Sequence, residues 1–360
     1  MVGKLMPKRV LLIRPSALGD VCRTVPVLTS LARAWPEATL GWVVQDGFED
    51  AIRCHEDLDE VLTFPRKALA KWATRPQVLM RSLGWMRSLR KGRWDCVIDC
   101  QGLMRSALMT RATGAALRVG DRQAREGAWL AYNHRVDTTG AVHTVDRMLE
   151  LLKPLQIDPV KDMQLKVPPE AKSSWSSRRS ELGLNGSYFV LAATTRWPSK
   201  AWPADHWVEW ARSVGGMTDG GLVLLGSPTE RATVESLATR LTNEAGMTVH
   251  NLAGETSVGE MMAVIESARL TLANDTAALH MAVGLGGRCV GLFGPTDPDV
   301  VGPYGLRERV VHVSPPPGVN YRDARLGDRC MRMIPVEQVV ECTRQVWDET
   351  QLDAVAQVNA

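Results

Sequence analysis

Val10-Leu11-Leu12-Ile13-Arg14-Pro15-Ser16-Ala17-Leu18-Gly19-Asp20-Val21 is the stretch whose reading sets the architecture. Four apolar residues bounded by basic and turn residues read as a buried parallel strand. Asp20 stands where the next helix should begin, and residues 26–35 run at helical spacing through Val27, Leu28, Leu31 and Ala34. A strand, a short turn and a helix open a βαβ unit. The cycle repeats with strands at 40–44, 61–64 and 97–99, and a helical stretch from Gly47. It restarts with strands at 188–193, 222–225, 270–273 and 289–293. Helices at 202–214, at 229–245 and from Thr276 alternate with these. Between the two series lie Pro154, Pro159, Pro168, Pro169 and the serine-rich run 173–177, a linker composition with room for one helix. The expectation is an α/β chain of two doubly wound halves. Its domains are 1–165 and 187–335, joined by a linker at 166–186. The tail, 336–360, carries helical spacing through Val336, Val339, Val340, Thr343, Val346 and Trp347.

Composition agrees. At roughly 150 residues per domain, 360 residues predict about two. Hydrophobic residues at 45% and charged residues at 23% exclude disorder or a coiled coil as the overall description. A net charge of +3 says little about partners, and 30 Gly and 20 Pro without a short period exclude a collagen-like chain. The seven cysteines are scattered and form no C-x-x-C pair, so buried reduced thiols are expected, with metal or disulfide use as the alternatives. No apolar run reaches the roughly 7–15 residues of a secretory segment or the roughly 18 of a membrane span. A cytoplasmic protein is expected, with any membrane contact peripheral.

In open parallel sheets ligands bind beyond the carboxyl ends of the strands, so the residues after each apolar run carry the chemistry. After the first run, Gly19 permits a close approach. Asp20 is either a helix cap or a carboxylate available as a general base. No G-x-G-x-x-G follows, so this is not a dinucleotide fingerprint. Thr194, Thr195, Arg196 and Lys200 suit a diphosphate, or form an ordinary solvated loop. Gly226 ends a strand, and Glu230 either accepts from a ribose hydroxyl or supports a helix start. At Asp275-Thr276-Ala277 a strand passes directly into a helix whose free N–H groups suit phosphate, with His280 one turn in. Gly294 and Thr296 are further phosphate contacts. Asp297 and Asp299 form a D-x-D, read here without a metal because the other loops already supply cations.

Residues 66–94 hold nine basic residues and no acidic one, interleaved with Trp72, Trp85 and Trp94. Leu79, Leu83, Met86 and Leu89 have helical spacing and are expected to dock on the domain. The segment fits an anionic membrane surface, a phosphorylated acceptor, or a merely solvated face. No nucleic-acid recognition motif accompanies it.

Taken together, the loops resemble those of the bacterial lipopolysaccharide heptosyltransferases, the ADP-heptose-using glycosyltransferases of family 9. The resemblance is greatest to the branch that adds the first heptose to the Kdo region of the inner core. It rests on Ser16-Ala17-Leu18-Gly19-Asp20-Val21, residues 42–48, residues 97–103, Ala193-Thr194-Thr195-Arg196 with Lys200-Ala201-Trp202-Pro203, Asp275-Thr276, His280 and residues 294–298. It spans most of 8–305. It implies a GT-B fold, two Rossmann-like domains facing across a cleft, with a C-terminal helix that returns to the first. It also implies Asp20 as the base toward the acceptor hydroxyl, with Lys200 and Thr194/Thr195 on the donor diphosphate. Asp275, Thr276 and His280 match the donor loop. Ser16, Gly19, Arg66, Gln101 and Arg125 fall on the acceptor side. The implied reaction is inverting transfer of heptose from ADP-heptose to an anionic lipid-linked saccharide, the Kdo–lipid A region. It needs no cofactor or metal and takes place at the cytoplasmic face of the inner membrane. Alternatives are another family 9 acceptor or nucleotide sugar, and a GT-B nucleotide-sugar epimerase.

Overall fold

The structure is a computed structural model that describes residues 6–68, 75–315, 318–323 and 326–358. Chain contacts divide it between Lys166 and Val167 into two units.

The first unit runs β1 (Arg9–Ile13), α1 (Leu18–Ala34), β2 (Thr39–Gln45), β3 (Glu60–Phe64), α2 (Pro76–Lys91), β4 (Cys96–Asp99), α3 (Met104–Thr113), β5 (Leu117–Asp121), β6 (His134–Val136) and α4 (Thr144–Glu150). Its sheet is parallel, in the order β3-β2-β1-β4-β5-β6. The second unit begins with α5 (Pro169–Glu181), β7 (Phe189–Ala192), α6 (Ala204–Val214), β8 (Leu222–Leu224), α7 (Arg231–Ala245) and β9 (Val249–Asn251). It continues with α8 (Val258–Ser267), β10 (Leu270–Asn274), α9 (Ala277–Gly284), β11 (Cys289–Phe293), α10 (Pro298–Val301), β12 (Val310–His312) and α11 (Val336–Val358). Its parallel order, β12-β11-β10-β7-β8-β9, is the same winding repeated. In both sheets the winding direction reverses beside the first strand, between β1 and β4 and between β7 and β10. Those are the two switch points at which loops splay apart and leave room for a ligand.

The sheets are apolar on both faces because helices cover both. Leu11, Ile13, Val43 and Val97 are fully buried in the first, and Leu191, Leu272 and Leu292 in the second. Seven free cysteines, six of them buried, match the reduced-thiol expectation.

Several expectations are corrected. The helix read over 26–35 starts at Leu18, two turns earlier. Pro26 is tolerated inside it, and its carbonyl accepts from Ser30 Oγ at 2.6 Å. From Gly47 there is only a single turn, Glu49–Ala51, before β3. The supposed linker is structured: α5 packs on α8, and the buried Trp175 Nε1 donates to Ser267 Oγ at 2.8 Å. Its serines line the polar side of a helix. The tail helix, expected to return to the first domain, packs within the second unit. Val339, Val346 and Trp347 enter its core, Trp347 lies 5.1 Å from Phe189, and Trp210 Nε1 donates to Thr343 Oγ1 at 3.0 Å. Strands β5, β6, β9 and β12 and helix α8 were not anticipated.

Candidate active site

At the first switch point, the turn after β1 is pinned on both sides. Gln45 N donates to Pro15 O at 3.0 Å and Cys100 N to Ile13 O at 3.1 Å. Asp20 is not the cap of α1, as the sequence suggested; Ala17 is. Asp20 lies three residues on, where its Oδ2 accepts the Ala17 N–H at 3.3 Å. The same oxygen pairs with Arg14 Nη2 at 2.7 Å, and Oδ1 pairs with Arg23 Nη2. The Asp20 side chain is 25% exposed, whereas both arginines are buried, so the carboxyl is clamped but not sealed. Burial by itself raises the Asp20 pKa, and Arg14 and then Arg23 overcome it, holding the carboxyl well below the usual carboxylate range.

Ser16 and Gln101 meet there, Gln101 Nε2 donating to Ser16 Oγ at 3.4 Å. The turn that carries Gln101 is built by Asp99, which is 1% exposed at the end of β4. Its Oδ1 accepts from Gln101 N at 2.9 Å and Gly102 N at 3.1 Å, and its Oδ2 from Tyr132 OH at 2.7 Å. Burial pushes the Asp99 pKa up, against those hydrogen bonds. Arg125 adjoins the same turn, its N–H donating to Gly102 O at 3.0 Å, and its side chain is exposed. Gly19 is buried in the first turn of α1. Arg66 is joined to the end of β2, with Nη1 on Gln45 Oε1 at 2.9 Å and N on Asp46 Oδ1 at 3.0 Å. Asp99→Ala should leave Tyr132 OH and two amides without their acceptor and cost roughly 2–4 kcal/mol in urea unfolding. A loss under about 0.5 kcal/mol, the size of an ordinary surface change, would deny Asp99 this role.

The second switch point gathers the residues expected on a donor. Lys200 Nζ pairs with Asp275 Oδ2 at 2.6 Å, both nearly buried, and Thr296 Oγ1 donates to that oxygen at 3.1 Å. Nζ also stands 4.3 Å from the centre of the Tyr321 ring, a cation–π contact. Asn274, fully buried, ties the two loops together: Nδ2 donates to Ala193 O at 2.7 Å, and Oδ1 accepts from Trp202 N at 3.2 Å. Thr276 caps α9 without a side-chain bond to it, and its buried Oγ1 has no partner among the described residues. The first-turn N–H groups at Ala277 therefore stay available, as a phosphate site requires. His280 is buried one turn on. Thr194 Oγ1 lies beside Gly226, 3.4 Å from where a Cβ there would stand.

Other residues of these loops are engaged within the fold itself. Thr195 Oγ1 donates to Trp197 O at 2.5 Å, and Arg196 lies over the Trp197 ring. Glu230 supports a helix start: its Oε2 accepts from Ser227 N at 2.8 Å and Ser227 Oγ at 2.5 Å. A Cβ on Gly294 would come within 2.7 Å of Met331 Sδ, so this glycine admits the 330–331 turn. Asp297 caps α10 through Asp299 N at 2.9 Å, and Asp299 pairs with Arg307 at 2.7 Å. Leu79 and Leu83, expected to dock inward, are 37% and 41% exposed, while Leu89 is buried. Lys71 and Trp72 lie outside the described residues.

Sequence reasoning passed over Arg14, Arg23, Asn274 and Tyr321. Arg23 was findable, since it sits three residues from Asp20 on one helix. Tyr321 was not, being 121 positions from Lys200.

The model of the glycosyltransferase family 9 (heptosyltransferase) matches residues 82–323. Lipopolysaccharide heptosyltransferase 1 of Pseudomonas aeruginosa is 33% identical over 308 residues, 82% of this chain and 81% of that protein. The Escherichia coli heptosyltransferase WaaC solved with ADP superposes with a TM-score of 0.73 at 25% identity, over 94% of this chain and 99% of that one. The same protein solved with ADP-2-deoxy-2-fluoro heptose gives 0.70 at 26%, over 92% and 99%. With both sheets wound alike, and with polar groups gathered at each switch point, the chain belongs to glycosyltransferase family 9, the heptosyltransferases.

Proposed function

We propose that the protein transfers a heptose from ADP-heptose to the Kdo–lipid A region of lipopolysaccharide, at the cytoplasmic face of the inner membrane. The observation that carries this reading is the cluster at the second switch point of a family 9 chain. There the Lys200 ammonium, the Thr296 and Thr276 hydroxyls and the start of α9 converge. The names of the relatives support the sugar and the acceptor, and the two ligands solved with WaaC support an ADP-sugar donor. No helix among the described residues is long and apolar enough to cross a membrane, so contact with the bilayer is peripheral in this reading.

The step is a single inverting displacement. The acceptor oxygen forms its bond to the anomeric carbon as the bond to the diphosphate oxygen breaks. ADP leaves with the electron pair, and the hydroxyl proton passes to Asp20. Even at its ordinary value of 3.8 a carboxylate is far too weak a base to ionise an alcohol beforehand, and the clamp holds Asp20 lower still. Asp20 therefore acts only as the proton turns acidic during attack. The larger task is the charge growing on the diphosphate, which Lys200 and the α9 amides meet with donors already in place. Asp275 would repel a diphosphate directly; its part is to aim Lys200, using one of the three ammonium donors. The reading calls for no metal.

Incubation with ADP-heptose and a Kdo-bearing acceptor, followed by mass spectrometry, should show an acceptor heavier by one heptose together with free ADP. ADP-heptose consumed or epimerised with no glycosylated product would overturn the reading.

A further inference from the structure

In the first unit, α2 and α3 lie on the same side of the sheet. Val78, Trp85, Met86 and Leu89 of α2 and Met109 and Ala112 of α3 share one core with Leu11, Ile13, Val43 and Val97. Their opposite sides therefore form one outer layer. Such a layer is ordinarily polar. Here Met80 is 61% exposed, Leu83 41%, Met104 43% and Leu108 52%. Leu130, in the turn Ala128–Ala131 that packs on α3, is 62% exposed. A Cβ placed on Gly127 would lie 3.8 Å from both Met104 Cε and Leu130 Cδ1, so those two side chains are neighbours. Seven of the ten exposed large hydrophobic side chains among the described residues fall on these three elements, too uneven a distribution for scattered surface leucines.

The charges follow the same layout. Met80, Leu83, Arg87 and Lys91 share one stripe of α2, and Met104, Leu108 and Arg111 share one stripe of α3. Each stripe is apolar in its first half and cationic in its second, with the bases exposed. Neither helix nor the turn contains an acidic residue. Glu126, just before the turn, has its carboxylate taken up by the Met104 N–H at 3.1 Å. Exposed aliphatic side chains alternating with Arg and Lys are what an element lying on an anionic bilayer presents. Nucleic acid would use the bases but gain nothing from Leu and Met. The layer also grows out of the acceptor loops: α3 follows Gln101, and the turn follows Arg125.

We propose that the outer layer made by α2, α3 and residues 128–131 is a docking surface for an anionic lipid bilayer, so that the Gln101 and Arg125 loops receive an acceptor still anchored in that bilayer. This rests on the acceptor reading above. The full chain should sediment with phosphatidylglycerol–phosphatidylethanolamine vesicles about tenfold more strongly than with phosphatidylcholine vesicles, and the difference should shrink at high salt. Met80→Ser, Leu83→Ser, Leu108→Ser and Leu130→Ser combined should lower that binding about tenfold. Transfer to a delipidated, water-soluble acceptor should be unchanged. Arg87→Glu with Arg111→Glu should do likewise and serves as the second variant. All the substituted side chains are exposed, so thermal unfolding should be unaltered. Wild-type protein binding anionic vesicles no better than neutral ones, or variants binding like wild type, would overturn the proposal. So would equally tight binding to polyglutamate that ignores the leucines, which would indicate an acidic protein. Failure of soluble-acceptor transfer with vesicle binding intact would remove the enzymatic reading and leave the docking surface standing.

Discussion

Asp20→Asn is expected to lower kcat for heptose transfer on the order of 10²–10⁴-fold while changing the Kd for ADP by less than about twofold. The amide keeps the shape and can still accept from Arg14 or Arg23, but it cannot take the acceptor proton. The clamp argues for the lower part of that range. A carboxylate held between two guanidinium groups is a weaker base than a free one, and it gains proton affinity only as the attacking hydroxyl turns acidic. The clamp also sets a pH signature. The Asp20 pKa is depressed in the folded protein, so the carboxylate stays ionised through pH 5 and kcat/KM should show no acid limb from it there. In Arg23→Met one guanidinium is gone while burial, which raises the pKa, remains. The acid limb should then move to higher pH than in wild type, while Arg14 still holds it down. Stability follows the same sign. The Asp20 pairs contribute fully above the ordinary value of 3.8, and their contribution is lost as pH falls through the lower folded value. Asp20→Asn with near-normal turnover would remove the base assignment. Identical acid limbs in wild type and Arg23→Met would leave the two arginines a purely structural role.

Lys200→Ala should raise the Kd for ADP roughly 10–100-fold, the equivalent of one charge-assisted hydrogen bond. Two effects add. The ammonium no longer meets the diphosphate, and Asp275, left with Thr296 as its partner among the described residues, turns an uncompensated carboxylate toward the incoming charge. Lys200→Arg should recover part of the affinity, because charge survives while the compact geometry against Tyr321 does not. Isothermal calorimetry with ADP reads the effect directly, and a Kd within about twofold of wild type would exclude Lys200 from the diphosphate site.

How much was legible in the sequence depended on how each element is buried. Strands β1, β2, β4, β7, β10 and β11 are covered on both faces, so they appear as unbroken apolar runs that can be read one residue at a time. Strands β6, β9 and β12 lie at sheet edges and contain His134-Arg135, His250-Asn251 and His312. With one side open to solvent they carry no apolar run, and only pairing with a neighbour makes them strands. The serine-rich segment 173–177 misled for the converse reason: two buried side chains, Ala171 and Trp175, hold a helix whose serines face outward.

The sequence by itself determined two wound halves, the loops at which each reverses, and the residue types at those loops, because strand ends and helix starts are local patterns of three or four residues. Only the tertiary structure decided which side chains share a proton, a charge or an acceptor. Arg14 and Arg23 closing on Asp20, Asn274 joining two loops, Tyr321 lying beside Lys200 and the tail helix filling the second core are meetings of residues up to 158 positions apart, as between Phe189 and Trp347. Burial and distance fix the strength of such pairings, and neither quantity is carried by the order of residues along the chain.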